Sequence, residues 1–493
     1  MYGNAKTIAT TLSVFFISFS LGCFAQNDAE RSSQESLRRF IDAVNSNNPA
    51  AQKDYIRAHY LPGFLEVYPV EMHYATLSRL FAEQGKLERP SFSQPEFSDN
   101  VFHASAVVHS DKTELWTEIT LFFAKNHPTQ ITGVSVRNAD FKTVPIDTKI
   151  NTNRQLKREI KSLTKRLEDK GLFSGTLLIA NGSKTLLVDS VGFSNKRYKI
   201  KNTRTTKYNL GSMNKMFTAV ALMQLIEQGK ISLDDTIEKF IDSSWLAPEI
   251  AQKIKVEHLL SHTSGLGSYF NEAYENSPKD HYRSISDYKP LVRSETLKFN
   301  PGTQFHYSNT GMLLAGVLVE KISGQNYFDY VQQHVYAPAQ MVNSASFELD
   351  DPIPNLATGY FPNPMNKTQW KENTYRIPVR GCPAGGGYST VDDLHQFAQA
   401  LLANQLLSEA NTEKLFKVHD NLGAHGYGFG FEVDDTAETT IVGHSGRFDG
   451  ISANLDIFTK NGYIVVLLSN QSAGIAPLRQ VTRALIHRLG TPQ

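Results

Sequence analysis

Between Met213 and Met223 the only polar side chains are Asn214, Lys215 and Thr218, and the apolar residues point in nearly every helical direction. That pattern predicts a helix buried on all sides, in contrast to the one-sided stripe of a surface helix. Nearer the N-terminus, Leu37, Phe40, Ile41 and Val44 recur at helical spacing after Ser32 and Glu35, a pair that predicts a capping box. Residues 50–60 and 72–84 read as two more helices. The period then falls to two, and 101–109, 114–124 and 130–137 read as strands. Helices followed by an antiparallel sheet argue an α+β module over residues 30–138. The polar stretch 139–153 reads as a linker.

The remainder, 154–493, opens with a charged helix from Arg154 to Lys170. A hairpin follows, in which 176–180 and 184–191 flank Asn181-Gly182, a strong turn signal. Mixed helical and loop segments run to about Ala410; strands at 439–443, 452–458 and 463–468 and a helix at 475–489 then close the chain. Strands at both ends with helices between them predict one antiparallel sheet built from the two termini, with a helical lobe inserted and helices on its flanks.

A chain of 493 residues, 40% hydrophobic, buries enough for more than one core. Fifty basic and 49 acidic side chains nearly cancel, which argues against a nucleic-acid surface or a polyanionic substrate. Lys6 and the uncharged, Phe/Leu/Ile-rich segment Thr7–Asn27 form a secretory signal pattern over 1–25, with cleavage after Ala25. Five Ser or Thr residues between Thr10 and Ser20 make it a poor permanent membrane span. Ser20-Leu21-Gly22-Cys23 resembles a bacterial lipobox with Ser in the usual place of Leu, so lipidation through Cys23 is the lesser alternative to a free periplasmic or secreted protein. Cleavage leaves Cys382 alone, hence no intrachain disulfide. Flanked by Gly381 and Pro383, Cys382 reads as a small buried apolar residue rather than a nucleophile.

The candidate chemistry lies in three clusters. Ser212-Met213-Asn214-Lys215 places a hydroxyl and an amine one turn apart on the buried helix, where an ammonium must find a partner or give up its proton. The same spacing recurs at Ser162/Lys165, in a charged helix, and at Ser286/Lys289, in a polar segment, but only Ser212 opens an apolar helix with free first-turn N–H groups. The second cluster is Tyr307-Ser308-Asn309, in a turn before an apolar helix. The third is Gly443-His444-Ser445-Gly446, read as following the strand that ends at Val442. His258 and His262 lack a third ligand of evident spacing and an H-E-x-x-H frame, so no metal is expected and no organic cofactor is implied.

These clusters, in this order, resemble the signatures of the serine β-lactamase and penicillin-binding superfamily, in its class C-like branch of S12-type peptidases, D-aminopeptidases and esterases. Asn209-Leu210-Gly211, the run His258 to Gly265, and Gly385-Gly386-Gly387 with Ser389-Thr390 add to the likeness, which covers roughly Leu172 to Leu489; the first module looks like an NTF2-like cone. The resemblance implies that Ser212 is the acyl-forming nucleophile and that Lys215 and Tyr307 share acid and base work. It implies further that Asn309, His444 and Gly446 contact substrate, and that the backbone N–H groups of Ser212 and Arg447 form an oxyanion hole. His444 stands where β-lactamases carry lysine, which favours an ester, amide or D-amino-acid peptide over a β-lactam; Arg447 or Arg380 are candidates to restore the missing charge. Two alternatives differ in class. A Ser-His-Asp hydrolase is disfavoured, for no G-x-S-x-G occurs. A penicillin-binding sensor that acylates without turnover uses the same residues. Substrate identity and oligomeric state are not encoded in these motifs.

Overall fold

The structure, a computed structural model, describes residues 31–98, 101–124, 127–146, 150–436 and 438–490. The secretory pattern over 1–25, with Cys23, lies outside them. The chain forms two compact units, Met1–Lys149 and Ile150–Gln493.

In the first unit, helices α1 (31–46), α2 (Pro49–His59), α3 (Pro62–Val67) and α4 (Val70–Gln84) precede an antiparallel sheet. Its strands are β1 (Leu87–Phe92), β2 (Glu96–Ser98), β3 (Val101–Ser110), β4 (Trp116–Ala124) and β5 (His127–Asn138), in the order β1-β3-β4-β5 with β2 also on β3. Leu37, Phe40, Val44, Ile56 and Leu77 bury their helical stripes against Ala106, Ile119 and Leu121 of the sheet. Residue 31 is already helical, so Ser32 is not a cap. Its carbonyl accepts from Ser36 Oγ at 2.9 Å, and Glu35 pairs with Arg39. The pattern of alternation misses β1 because Pro90 and a bulge between Glu88 and Ser91 interrupt it, features an edge strand tolerates. Within 139–153, Ala139, Phe141, Val144 and Ile150 are buried, so apolar anchors are spaced through a segment whose composition reads as polar.

The second unit begins with α5 (Asn153–Asp169) and is built on one sheet. Strands β6 (Gly175–Asn181) and β7 (Lys184–Val191) form the expected hairpin, with Gly182 at φ +55°. Far along the chain come β8 (Glu432–Asp435), β9 (Thr440–Phe448), β10 (Ile451–Phe458) and β11 (Tyr463–Ser469). All pair antiparallel in the order β8-β9-β10-β11-β6-β7, so both ends of the unit meet in the centre of the sheet. The triplet His444-Ser445-Gly446 is part of β9 rather than beyond its end, because pairing with β10 continues to Phe448.

Between the two groups of strands run α6 (Asn214–Glu227), α7 (Asn309–Ser323) and α8 (Val391–Leu402), and α9 (Ala476–Gly490) closes the chain. Helix α6 packs against α7 and is buried all round, as its pattern requires, with Lys215 at 0% exposure. Among the described residues no helix is long and apolar enough to cross a membrane.

A buried ion pair ties α9 to the sheet: Arg483 spans both carboxylate oxygens of Asp456 at 2.7 and 2.6 Å, and Asp456 is 3% exposed. Two-point pairing offsets the desolvation of both charges only while both are present. Asp456→Ala is expected to cost about 3–5 kcal/mol in urea unfolding, because it removes the two-point partner of a buried guanidinium and leaves the longer Asp434 contact at 3.4 Å in its place.

Candidate active site

The site forms where β9 loses its neighbour. Strand β8 pairs only with residues 440–443, because the preceding chain turns through Gly428–Phe431, with Gly430 at φ +75° and its N–H donating to Leu260 O at 2.9 Å. Residues 444–448 therefore have β10 on one side and, on the other, the single 3₁₀ turn Gly211–Met213 that leads into α6. The approach is too close for side chains. A Cβ on Gly446 would lie 1.9 Å from Leu210 O and 3.2 Å from Ser212 N, while Gly211, at φ +52°, lies with its missing Cβ 3.1 Å from Arg447 N. Gly446→Ala should displace the turn and lower kcat by about 10²-fold or more, as measured by ester hydrolysis.

Backbone direction follows from strand parity. Ser445 N–H points off the free edge, donating to Glu432 Oε1 at 3.1 Å. Alternate N–H groups of an antiparallel strand point the same way, so the Arg447 N–H also faces the turn that carries Ser212. Two backbone amides, of Ser212 and Arg447, thus border one gap.

Ser212 is part-exposed, whereas Lys215 behind it is sealed. The Lys215 amine donates to Asn309 Oδ1 at 2.8 Å and Ala384 O at 2.6 Å, and lies 4.7 Å from the centre of the Tyr307 ring. Asn309 in turn donates through Nδ2 to Ser268 Oγ at 3.1 Å, which fixes its oxygen toward the lysine. Burial pulls the Lys215 pKa down to about 7, with Cys382 and Glu432 pulling the other way. A neutral amine spends both its N–H groups on those two acceptors and keeps one lone pair. Burial around the Tyr307 phenol raises its pKa, and the nearby Ser212 hydroxyl lowers it only in part, so the group stands as a phenol and not as a phenolate. The four residues come from two elements: Ser212 and Lys215 from the start of α6, Tyr307 and Asn309 from the start of α7, where Ser308 caps the helix by accepting from Gly311 N at 2.8 Å.

His444 is placed differently from expectation. It is 2% exposed; Nδ1 donates to Ser445 O at 2.5 Å and Nε2 accepts from Tyr427 O–H at 3.0 Å. Burial holds its pKa down to about 4 even with the Glu432 carboxylate 3.7 Å from Nδ1. Both nitrogens are occupied, so the imidazole backs the site, with its ring 6.3 Å from that of Tyr307, and is not among the residues lining the cleft over Ser212. His262 fills the same role from the other side, its ring tilted between those of Tyr307 at 4.3 Å and Tyr427 at 4.6 Å, its Nδ1 accepting from Ser308 N. His258 and His262 join no metal-binding group among the described residues.

A narrow cleft of about 60 Å³ runs over Ser212, walled mostly by apolar side chains, with Tyr269, Phe270, Tyr274, Ile377, Phe448 and Ile451 opposite Asn309 and Arg447. Of the loop aromatics, Tyr269 and Phe270 line it; Tyr288 packs behind them, and Tyr360 and Trp370 enclose Lys196 elsewhere. Ile377 also borders a polar cavity of about 590 Å³ lined by Glu275, Lys279, Arg283 and Arg376. Arg380 does not reach the cleft, being held by Ser346 O, Glu348 and the face of Phe328. Cys382 is buried with Sγ 3.1 Å from Tyr269 Oη, and burial raises its pKa, so it is no exposed nucleophile. The other two Ser-x-x-Lys pairs carry no comparable site: Lys165 is solvated beside Asp169, and Lys289 lies over Trp245. Sequence reasoning missed Tyr427, Phe448 and the carbonyl of Ala384, none of which has a motif of its own, while Tyr274, whose Tyr274-Glu275-Asn276 also fits Y-x-N, lines the cleft wall instead.

A family model described as Beta-lactamase matches residues 160–488. Penicillin-binding protein 4* of Bacillus subtilis is 28% identical over 347 residues, 68% of this chain and 76% of that protein. A crystal structure of a penicillin-binding protein from Bacillus halodurans is 31% identical, with a TM-score of 0.59, and the match covers 69% of this chain and 100% of that one. A D-amino acid amidase from Ochrobactrum anthropi, at 20% identity and a TM-score of 0.57 over 67% of this chain and 99% of that one, shares the fold.

Proposed function

The chain belongs to the Beta-lactamase family, and from that premise we propose that it is an exported serine hydrolase acting through an acyl-Ser212 intermediate on a small ester, amide or D-amino-acid peptide. The observation that carries the reading is the sealed Lys215 amine, its two N–H groups engaged and one lone pair left beside the serine. In the acylation step, the Ser212 Oγ–H proton passes to Lys215, directly or through Tyr307, as Oγ bonds to the substrate carbonyl carbon. The carbonyl oxygen gains negative charge between the Ser212 and Arg447 amides. The C–O or C–N bond to the leaving group then breaks, and the same groups return the proton to it. Water repeats the sequence in deacylation. Asn309 steadies the lysine and presents its amide at the cleft.

The cleft's apolar walls favour a slender aliphatic or aromatic acyl group. Arg447, exposed at its rim with no acidic partner among the described residues, supplies the only permanent positive charge lining it. With His444 neutral and both its nitrogens engaged, Arg447 at the rim is the one cation left for a substrate carboxylate, and β-lactam hydrolysis is placed second to ester, amide or D-peptide hydrolysis. The N-terminal unit is assigned to the NTF2-like cone on its helix-then-sheet order alone.

The test is intact-mass analysis of wild type and Ser212→Ala after an activated ester, a fluorophosphonate and a penicillin, with product release followed in parallel. Adducts confined to wild type, with turnover of the ester and not of the penicillin, are the expected result. An adduct that never turns over would instead select the non-turnover binding or sensor reading, and no adduct at all would overturn the nucleophile.

A further inference from the structure

The free edge of β9 is braced by one side chain. Glu432 is the residue of β8 opposite Gly443, and beyond it the backbone leaves the sheet. Its carboxylate continues where the strand stops: Oε1 accepts from both Ser445 N and Ser445 Oγ, and Oε2 accepts from Arg479 Nη2 of α9 at 3.0 Å. A longer β8 would have supplied a carbonyl to that N–H and, by continuing, would have closed the edge on which Ser212 sits. We propose that Glu432 is a positioning residue for the oxyanion-binding edge, a carboxylate that takes the place of the missing strand and leaves the next outward N–H, that of Arg447, free for the reacting oxygen. The inference rests on the acyl-serine reading for its catalytic consequence, but its structural half stands without it.

The brace has a rigid anchor. Arg479 belongs to the helix that Arg483 locks to Asp456 one turn later, so the edge is referred to the C-terminal helix and through it to the sheet. Burial raises the Glu432 pKa, but His444, Arg479 and the Ser445 donors outweigh it and hold the group down to about 2, so the brace keeps its charge throughout the range in which Lys215 titrates. A cavity of about 490 Å³ lies alongside, lined by Glu432, Arg479 and Gly443; a formate ion can enter it when the side chain is cut back.

Glu432→Ala and Glu432→Gln are compared with wild type by steady-state ester hydrolysis and by amide exchange. Loss of the brace is expected to lower kcat about ten- to a hundredfold with KM within about threefold, since the oxyanion contact is made in the transition state. The glutamine variant keeps an acceptor oxygen and should retain most of the rate; formate, and not chloride, should restore part of it to Glu432→Ala. Exchange of the amides at 444–448 should quicken about tenfold while β11 stays protected. A kcat within threefold of wild type, or exchange that quickens equally in β11, overturns the proposal. Should wild type fail to turn over the ester at all, the acyl-serine reading falls, and the exchange comparison alone decides whether Glu432 braces the edge.

Discussion

Ser212→Ala is expected to abolish acylation and to lower kcat/KM for an activated ester by on the order of 10⁴-fold or more. The size of the effect follows from what would remain. The cleft walls, Asn309 and the two edge amides still hold the substrate, so KM changes little, but nothing stands in the gap to bond with the carbonyl carbon. The oxygen is one atom from a turn that Gly446 and Gly211 allow to touch β9, and no neighbouring hydroxyl can replace it: Tyr307 is held as a phenol by burial, and the Cys382 thiol is sealed behind Tyr269. Burst kinetics and intact mass on the same preparations check it, and a variant that keeps a tenth of the wild-type rate would move the nucleophile elsewhere.

The second large effect is one of pH. Lys215 works as a base only when neutral, and with its pKa drawn down to about 7 by burial the neutral fraction grows as pH rises through 7. Activity is therefore low at pH 5, rises about tenfold per unit in the acidic limb, and levels above pH 8. His444 contributes nothing to this limb, being already neutral above about pH 4. Lys215→Met, which keeps the bulk of the side chain and removes the nitrogen, should lower kcat by about 10²–10⁴-fold and flatten the profile. Lys215→Arg offers no rescue, because a guanidinium stays charged. A wild-type rate constant unchanged between pH 5 and 9 would show that another group takes the proton.

Much of this was legible in the chain, and the reasons are particular. Lys215 is the one cation in an otherwise apolar helix, so the pattern that buries the helix also singles out the lysine. The sheet could be placed because β6, β7, β10 and β11 each carry a long β-rich run. What remained hidden depends on the meeting of distant segments. That β8 stops at Glu432 is decided by a turn at Gly430 whose N–H is taken by Leu260, and no local signal marks it. The orientation of His444 follows from Tyr427, which has no motif, and the second acceptor for Lys215 is a backbone carbonyl of Ala384, which any residue there could supply. The capping box at Ser32 failed for a simpler reason, since the same local pattern is also compatible with a serine that is already helical.

The central seam of the sheet, where β6 meets β11, has a kinetic meaning. Ser469 Oγ reaches Ser174 O across 295 residues of chain, so the two strands that support the site are almost the first and last parts of the unit to leave the ribosome. Closing a loop of that length costs about 5 kcal/mol in chain entropy before any contact offsets it, and pairings of such separation fold slowly. A growing chain that already contains Ser212 and Lys215 has no strand β9 to set them against, and hence no oxyanion gap. On the proposed reading, Ser212 therefore has no oxyanion gap until β9, β10 and β11 have paired onto the β6–β7 ribbon.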